Sequence, residues 1–119
     1  MKSHKELTVW QKAMDLVEEI YKLTSKFPKS ETFGLSSQMQ RAAVAIPSNI
    51  AEGAKRGHRL EYIQFLSIAN GSASELETQL LLASKLYKVN CVKALSLTDE
   101  VLKMLFSLIN YLKDRKSVT

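Results

Sequence analysis

The chain has 119 residues, 45% apolar and 24% charged, and its 17 Lys and Arg outnumber its 12 Asp and Glu for a formal net charge of +5. This length sets one domain, 1–119, with a core that needs neither disulfide nor structural metal. The lone cysteine, Cys91, excludes an internal disulfide and a cysteine-built metal site. Four Gly and two Pro are too few for a strand-and-turn fold, and the positive balance admits a polyanionic partner without requiring one.

The opening stretch MKSHKELTVWQKAMDLVEEI is charged throughout and has no apolar segment of the kind a secretion signal carries. The longest apolar run, Ala42 to Ile46, falls far short of the roughly 20 residues of a membrane span. A cytoplasmic protein is expected, with no membrane partner and with Cys91 as a buried thiol.

The first helix is predicted over Leu7 to Ser25, where Val9, Trp10, Ala13, Met14, Val17, Ile20, Tyr21 and Thr24 recur at three- and four-residue steps. Phe27-Pro28 ends it, because proline disfavours the helical conformation of the residue before it. The second helix, Leu35 to Lys55, contains Pro47. Its apolar phase (Met39, Ala43, Ile46, Ile50, Ala54) runs through the proline, which favours one helix kinked at Pro47 over two short helices with Pro47 in a first turn. Gly53 and Gly57 bracket its end.

The third helix is predicted over Arg59 to Tyr87 on the stripe Tyr62, Phe65, Leu66, Ala69, Ala73, Leu76, Leu80, Ala83 and Tyr87. The run of small residues Ala69, Gly71, Ser72, Ala73 and Ser74 suits close approach of a neighbour. Thr98-Asp99-Glu100 reads as the N-terminal cap of a fourth helix, Asp99 to Arg115, after a linker from Val89 to Leu97. Four helices with short links and no strand candidate make an all-α, antiparallel up-down four-helix bundle. The apolar set of the fourth helix covers more than half its circumference. Ile68, Leu82 and Leu86 lie off the main stripe of the third. This surplus predicts a homo-oligomer.

On a wheel of the second helix, Gln38, Arg41, Ser48, Asn49, Glu52 and Arg56 fall within ~100° beside the apolar stripe. Glu75 on the third helix is a candidate partner. Such a row reads first as a structural polar stripe and second as a ligand surface. Catalysis lacks its parts: His4 is expected in a frayed end and His58 in a charged loop, neither near a Cys, Asp or Glu at ligand or triad spacing. Gly53 and Gly57 match no phosphate-loop spacing. No catalytic residue, metal or cofactor is expected. The basic clusters Lys55-Arg56-Gly57-His58-Arg59 and Lys113-Asp114-Arg115-Lys116 are the candidate nucleic-acid contacts, with Lys55, Arg56 and Arg59 foremost and Arg41 if the stripe faces an open surface. No aromatics are interleaved with either cluster, which weakens a single-strand reader.

LTVWQKAMDLVEEIYKLTSKFP, E-x-F-G-L-x-x-Q at Glu31 to Gln38, RAAVAIPSNIAEG and FLSIANGSASELETQL at Phe65 to Leu80 occur in this order along nearly the whole chain. Together they resemble the four-helix-bundle proteins encoded in intervening sequences of bacterial 23S ribosomal RNA genes. Ala45 stands where that family often has serine, which takes a hydroxyl from the stripe. The resemblance implies a ring-shaped homopentamer of four-helix bundles with no cofactor. Relatives include the accessory protein of diversity-generating retroelements, which binds a reverse transcriptase and nucleic acid. The resulting expectation is a non-enzymatic oligomeric adaptor that binds RNA or a ribonucleoprotein. The alternative is a protein-interaction scaffold, such as a reverse-transcriptase accessory subunit, that does not touch nucleic acid.

Overall fold

The computed structural model describes residues 3–114. Four helices, α1 (Thr8–Thr24), α2 (Leu35–Lys55), α3 (Arg59–Tyr87) and α4 (Val92–Asp114), follow one another with short connections. Among the described residues there is no strand; the only other regular elements are single 3₁₀ turns at His4–Glu6 and Lys29–Glu31. Each helix packs on its neighbours in the chain and α1 closes on α4, while the diagonal pairs do not meet. The result is an antiparallel bundle of 51 × 20 × 19 Å.

The core is a column of fully buried side chains: Leu16 and Ile20 from α1, Met39, Ile46 and Ile50 from α2, Leu66, Leu76 and Leu80 from α3, Val101 and Leu105 from α4. Each such side chain taken from water stabilises the fold by about 1.5–3 kcal/mol before its ordering cost. The buried face of α1 is rotated from the expected one. Val9, Ala13, Leu16, Ile20 and Leu23 point inward, whereas Met14 and Tyr21 remain about half exposed, at 45% and 48%.

The α2 helix is continuous through Pro47, which is itself buried, so the two-helix alternative does not hold. Two residues after the proline, the Asn49 side-chain amide donates to the Ala45 carbonyl at 2.7 Å, spanning Pro47. Gly53 is not a terminator but a buried packing position. A Cβ there would lie 2.8 Å from the Phe65 Cβ and 3.3 Å from the Tyr62 carbonyl oxygen, so α2 and α3 come this close only over a glycine. Gly71, which the sequence suggested for such a role, is exposed with nothing within 4 Å of its would-be Cβ.

The fourth helix begins seven residues before the expected start. Its first turn is capped by Asn90, whose Oδ1 accepts from the Val92 N–H at 3.0 Å. Thr98 is therefore not a cap. It is fully buried inside α4, and its hydroxyl donates to the Ala94 carbonyl at 2.7 Å. The predicted end at Arg115 lies outside the described residues.

Candidate nucleic-acid interface

The α2–α3 connection is built from backbone geometry that needs its glycine. α2 ends at Lys55, Gly57 takes a left-handed φ of 76°, and His58 is extended, its carbonyl accepting from the Tyr62 N–H at 2.9 Å to open α3. Lys55 and Arg56 thus sit at the negative end of the α2 dipole.

Each basic side chain of the hairpin has its own surroundings. Lys55 and His58 are exposed and make no ion pair among the described residues. Arg56 Nε is paired with Glu52 Oε2 at 3.0 Å, and its guanidinium lies 5.0 Å above the Phe65 ring. Both Arg56 and Glu52 are about half exposed, so their pairing is worth only a few tenths of a kcal/mol. Arg59 is half-buried and reaches across the bundle, Nη1 donating to the Leu112 carbonyl at 3.5 Å. That carbonyl belongs to the last turn of α4, where a cation is favoured. The contact brings Lys113 to the same end as Lys55. The remainder of the second basic cluster, Arg115 and Lys116, lies outside the described residues. Among the described residues, Lys55 alone of the three foremost phosphate candidates is unengaged; Arg56 is shared with Glu52, and Arg59 links α3 to α4.

Beneath the hairpin, the Arg59 Nε and the Tyr62 hydroxyl are buried without a hydrogen-bond partner among the described residues. Burial pushes the Tyr62 phenol above its ordinary range. His4, expected in a frayed end, packs edge-on against Trp10 with ring centroids 5.2 Å apart.

The polar stripe of α2 is a solvated face. Gln38, Arg41, Ser48 and Glu52 are exposed, Asn49 is half-buried with its amide on Ala45, and Glu75 is exposed on α3 without an ion pair to Arg41. Arg41 lines a shallow groove of about 410 Å³ with Tyr21, Ser37, Gln40, Val44 and Ala45, to which Asn49 and Glu52 do not contribute. The stripe therefore does not converge on one cavity.

Sequence reading missed the opposite end. There Glu31 accepts from the Leu35 N–H at 3.0 Å, capping α2. The Tyr87 hydroxyl at the end of α3, and after it this N–H, hold the Glu31 carboxyl below the usual carboxylate range, while the same carboxylate pushes the Tyr87 phenol up to about 12. Tyr87 also packs on Phe27, centroids 5.0 Å apart. Phe33, in the same connection, is 96% exposed. A larger groove of about 710 Å³ runs along α1 between Met14, Asp15, Val17, Glu18, Tyr21 and Lys22. The signals for Phe33 were its place in the E-x-F-G-L-x-x-Q segment and its position outside any periodic stripe.

Among the described residues no three His, Cys, Asp or Glu side chains cluster as metal ligands, and no helix is long and apolar enough to cross a membrane. The family model described as 23S rRNA-intervening sequence protein matches residues 5–107. A crystal structure of a protein with unknown function from the S23 ribosomal protein family of Bacteroides thetaiotaomicron is similar at a TM-score of 0.77 and 25% identity, over 86% of this chain and 95% of that one. No curated protein matches the chain.

Proposed function

The chain belongs to the 23S rRNA-intervening sequence protein family, and we propose that it is a non-enzymatic, cytoplasmic, self-associating adaptor that binds RNA or an RNA–protein complex through basic surfaces. The observation that supports RNA contact most directly is the convergence at one end of the bundle. The Arg59–Leu112 bond gathers Lys55, Arg56, His58 and Lys113 from two sequence-distant clusters. Self-association draws support from the exposed Ile68, Leu82, Leu86 and Phe106 on α3 and α4. Copies of one weak cationic end, repeated in an assembly, would bind a long polyanion with avidity.

Binding to a structured RNA, followed across a salt series, tests this. Affinity is expected to fall steeply with salt, and Lys55→Gln with Lys113→Gln to reduce the log–log slope by about one per lost phosphate contact. Arg59 is left intact in that variant because its substitution would also release α4. An assembled protein that binds no RNA at low salt refutes the reading. The exposed Phe33 and α1 groove favour a second reading, a protein-interaction scaffold. Recovery of one stoichiometric protein partner after nuclease treatment, with no RNA affinity, would select it.

A further inference from the structure

Where α1 ends and α2 begins, the chain encloses a cavity of about 350 Å³. The last turn of α1, the connection after it and the first two turns of α2 all contribute walls. Its volume falls within the ~300–1,000 Å³ of small-molecule sites. The groove of about 410 Å³ that holds Arg41 adjoins it, since Tyr21 and Gln40 line both.

One side of the cavity is short of acceptors. Ser36 lines it and is only 7% exposed, yet its hydroxyl has no hydrogen-bond partner among the described residues. A hydroxyl so placed gains most from a ligand that brings an acceptor to it. The start of α2 acts in the same direction. Glu31 Oε1 takes the Leu35 N–H, and the Gln38 N–H donates to the Gly34 carbonyl. The N–H groups of Ser36 and Ser37 are left over at the positive end of the helix dipole. Lys29 lines the cavity and Arg41 the adjoining groove, and neither is ion-paired among the described residues. Among the described residues no Asp or Glu lines either hollow. The charge this site favours is negative.

The facing wall has the opposite polarity. The hydroxyls of Thr24, Ser25 and Thr32 donate to the carbonyls of Tyr21, Lys22 and Lys29 at 3.3, 2.6 and 2.8 Å. Their protons are committed to the backbone, so toward a ligand they offer oxygen lone pairs, which suit the hydroxyls of a sugar. Tyr21, 48% exposed and shared by the two hollows, presents an aromatic face on which a base can stack.

We propose that this cavity binds a ribonucleotide through its terminal phosphate. The phosphate goes to Ser36 and Lys29, the ribose hydroxyls meet the Thr24, Ser25 and Thr32 oxygens, and the base lies over Tyr21 toward Arg41. A terminal phosphate reaches a hydroxyl as deep as that of Ser36 more readily than one in mid-chain, which carries a substituent on both sides. The same chemistry is offered by a free nucleotide and by the 5′ end of an RNA. The site lies at the opposite end of the bundle from Lys55 and Lys113 and does not depend on them.

Isothermal titration of the full chain with adenosine 5′-monophosphate, with adenosine, and with one oligoribonucleotide carrying a 5′-phosphate or a 5′-hydroxyl tests it. The phosphorylated member of each pair is expected to bind the more tightly. Ser36→Ala should weaken that binding about tenfold or more, as the loss of one hydrogen bond to a charged acceptor does, and Lys29→Gln should reduce its salt dependence. The urea midpoint of Ser36→Ala should not fall, because the hydroxyl has no partner in the empty protein to lose. Ser36 dependence with the mononucleotide makes the free nucleotide a sufficient ligand; dependence with the phosphorylated oligonucleotide alone makes the ligand the RNA end. Phosphorylated ligands bound no more tightly than their phosphate-free counterparts, or bound equally by wild type and Ser36→Ala, overturn the inference and leave the Lys55–Lys113 reading standing.

Discussion

Gly53 and Gly71 are both helical glycines, and alanine should act on them with opposite sign. At Gly71 the added methyl meets open space, so Gly71→Ala only removes the conformational freedom of glycine and should stabilise by about 1 kcal/mol. At Gly53 the same propensity gain applies, but the new Cβ would stand 2.8 Å from the Phe65 Cβ, 3.0 Å from a Tyr62 ring carbon and 3.3 Å from the Tyr62 carbonyl oxygen. Neither a Cβ nor a carbonyl can move aside without moving α3. The overpacking cost therefore falls at the upper end of the usual range, about 3 kcal/mol. Less the gain of about 1, the net is a loss of about 2 kcal/mol, or roughly 8 °C in Tm for a domain of this size. Urea unfolding of both variants at one fixed protein concentration, so that any assembly contributes equally, gives the difference directly. A Gly53→Ala protein as stable as the wild type would mean that the close approach of α2 and α3 is not what the glycine is for.

The Glu31–Tyr87 bond predicts two pH effects of opposite sense. Because the Glu31 carboxyl is held below its ordinary value, its stabilisation is present above about pH 4.3 and is lost as pH falls through the folded value, so the urea midpoints of wild type and Glu31→Gln should converge on acidification. Because the Tyr87 phenol is raised, its contribution is present below about pH 10 and is lost as pH rises through about 12. A phenol ionising near pH 12, seen by ultraviolet titration, should be missing in Tyr87→Phe. At the start of α4, Asn90→Ala should cost about 1 kcal/mol in urea unfolding, whereas Asp99→Ala, two turns inside the helix, should stay within about 0.5.

Helix bounds were legible wherever a hard stop coincided with the end of a hydrophobic stripe. Phe27-Pro28 and Gly57 are such stops, and the ends of α1 and α2 lie just before them. The start of α4 was hidden because Thr98-Asp99-Glu100 has the composition of a cap. Inside a helix the Thr98 hydroxyl is satisfied by the Ala94 carbonyl, so nothing forces the residue to the end. The buried face of α1 was misread for a different reason. Its apolar arc extends from Leu23 through Val9 to Met14 and is wider than the core requires, and periodicity alone cannot say which flank is left over. In the hairpin, the chemical types were readable but their engagement was not. Arg59 meets its partner 53 residues away, at Leu112, a contact that exists only once the bundle closes.

The segment from Glu31 to Gln38 shows how a sequence signature divides between fold and function. Glu31 caps α2 and binds Tyr87, and Leu35 supplies the N–H it accepts. Gly34 is needed because a Cβ there would approach Glu31 Oε1 to 2.6 Å; the carboxylate could swing away, but only by abandoning the cap. Those three residues are explained by a single chain. Phe33 and Gln38 are not, since both side chains point into solvent. An exposed phenyl adds nothing to the stability of the single chain, because the unfolded chain exposes it as well. Its retention at the tip of a clamped turn is reasonable when the ring is buried in some assembled state.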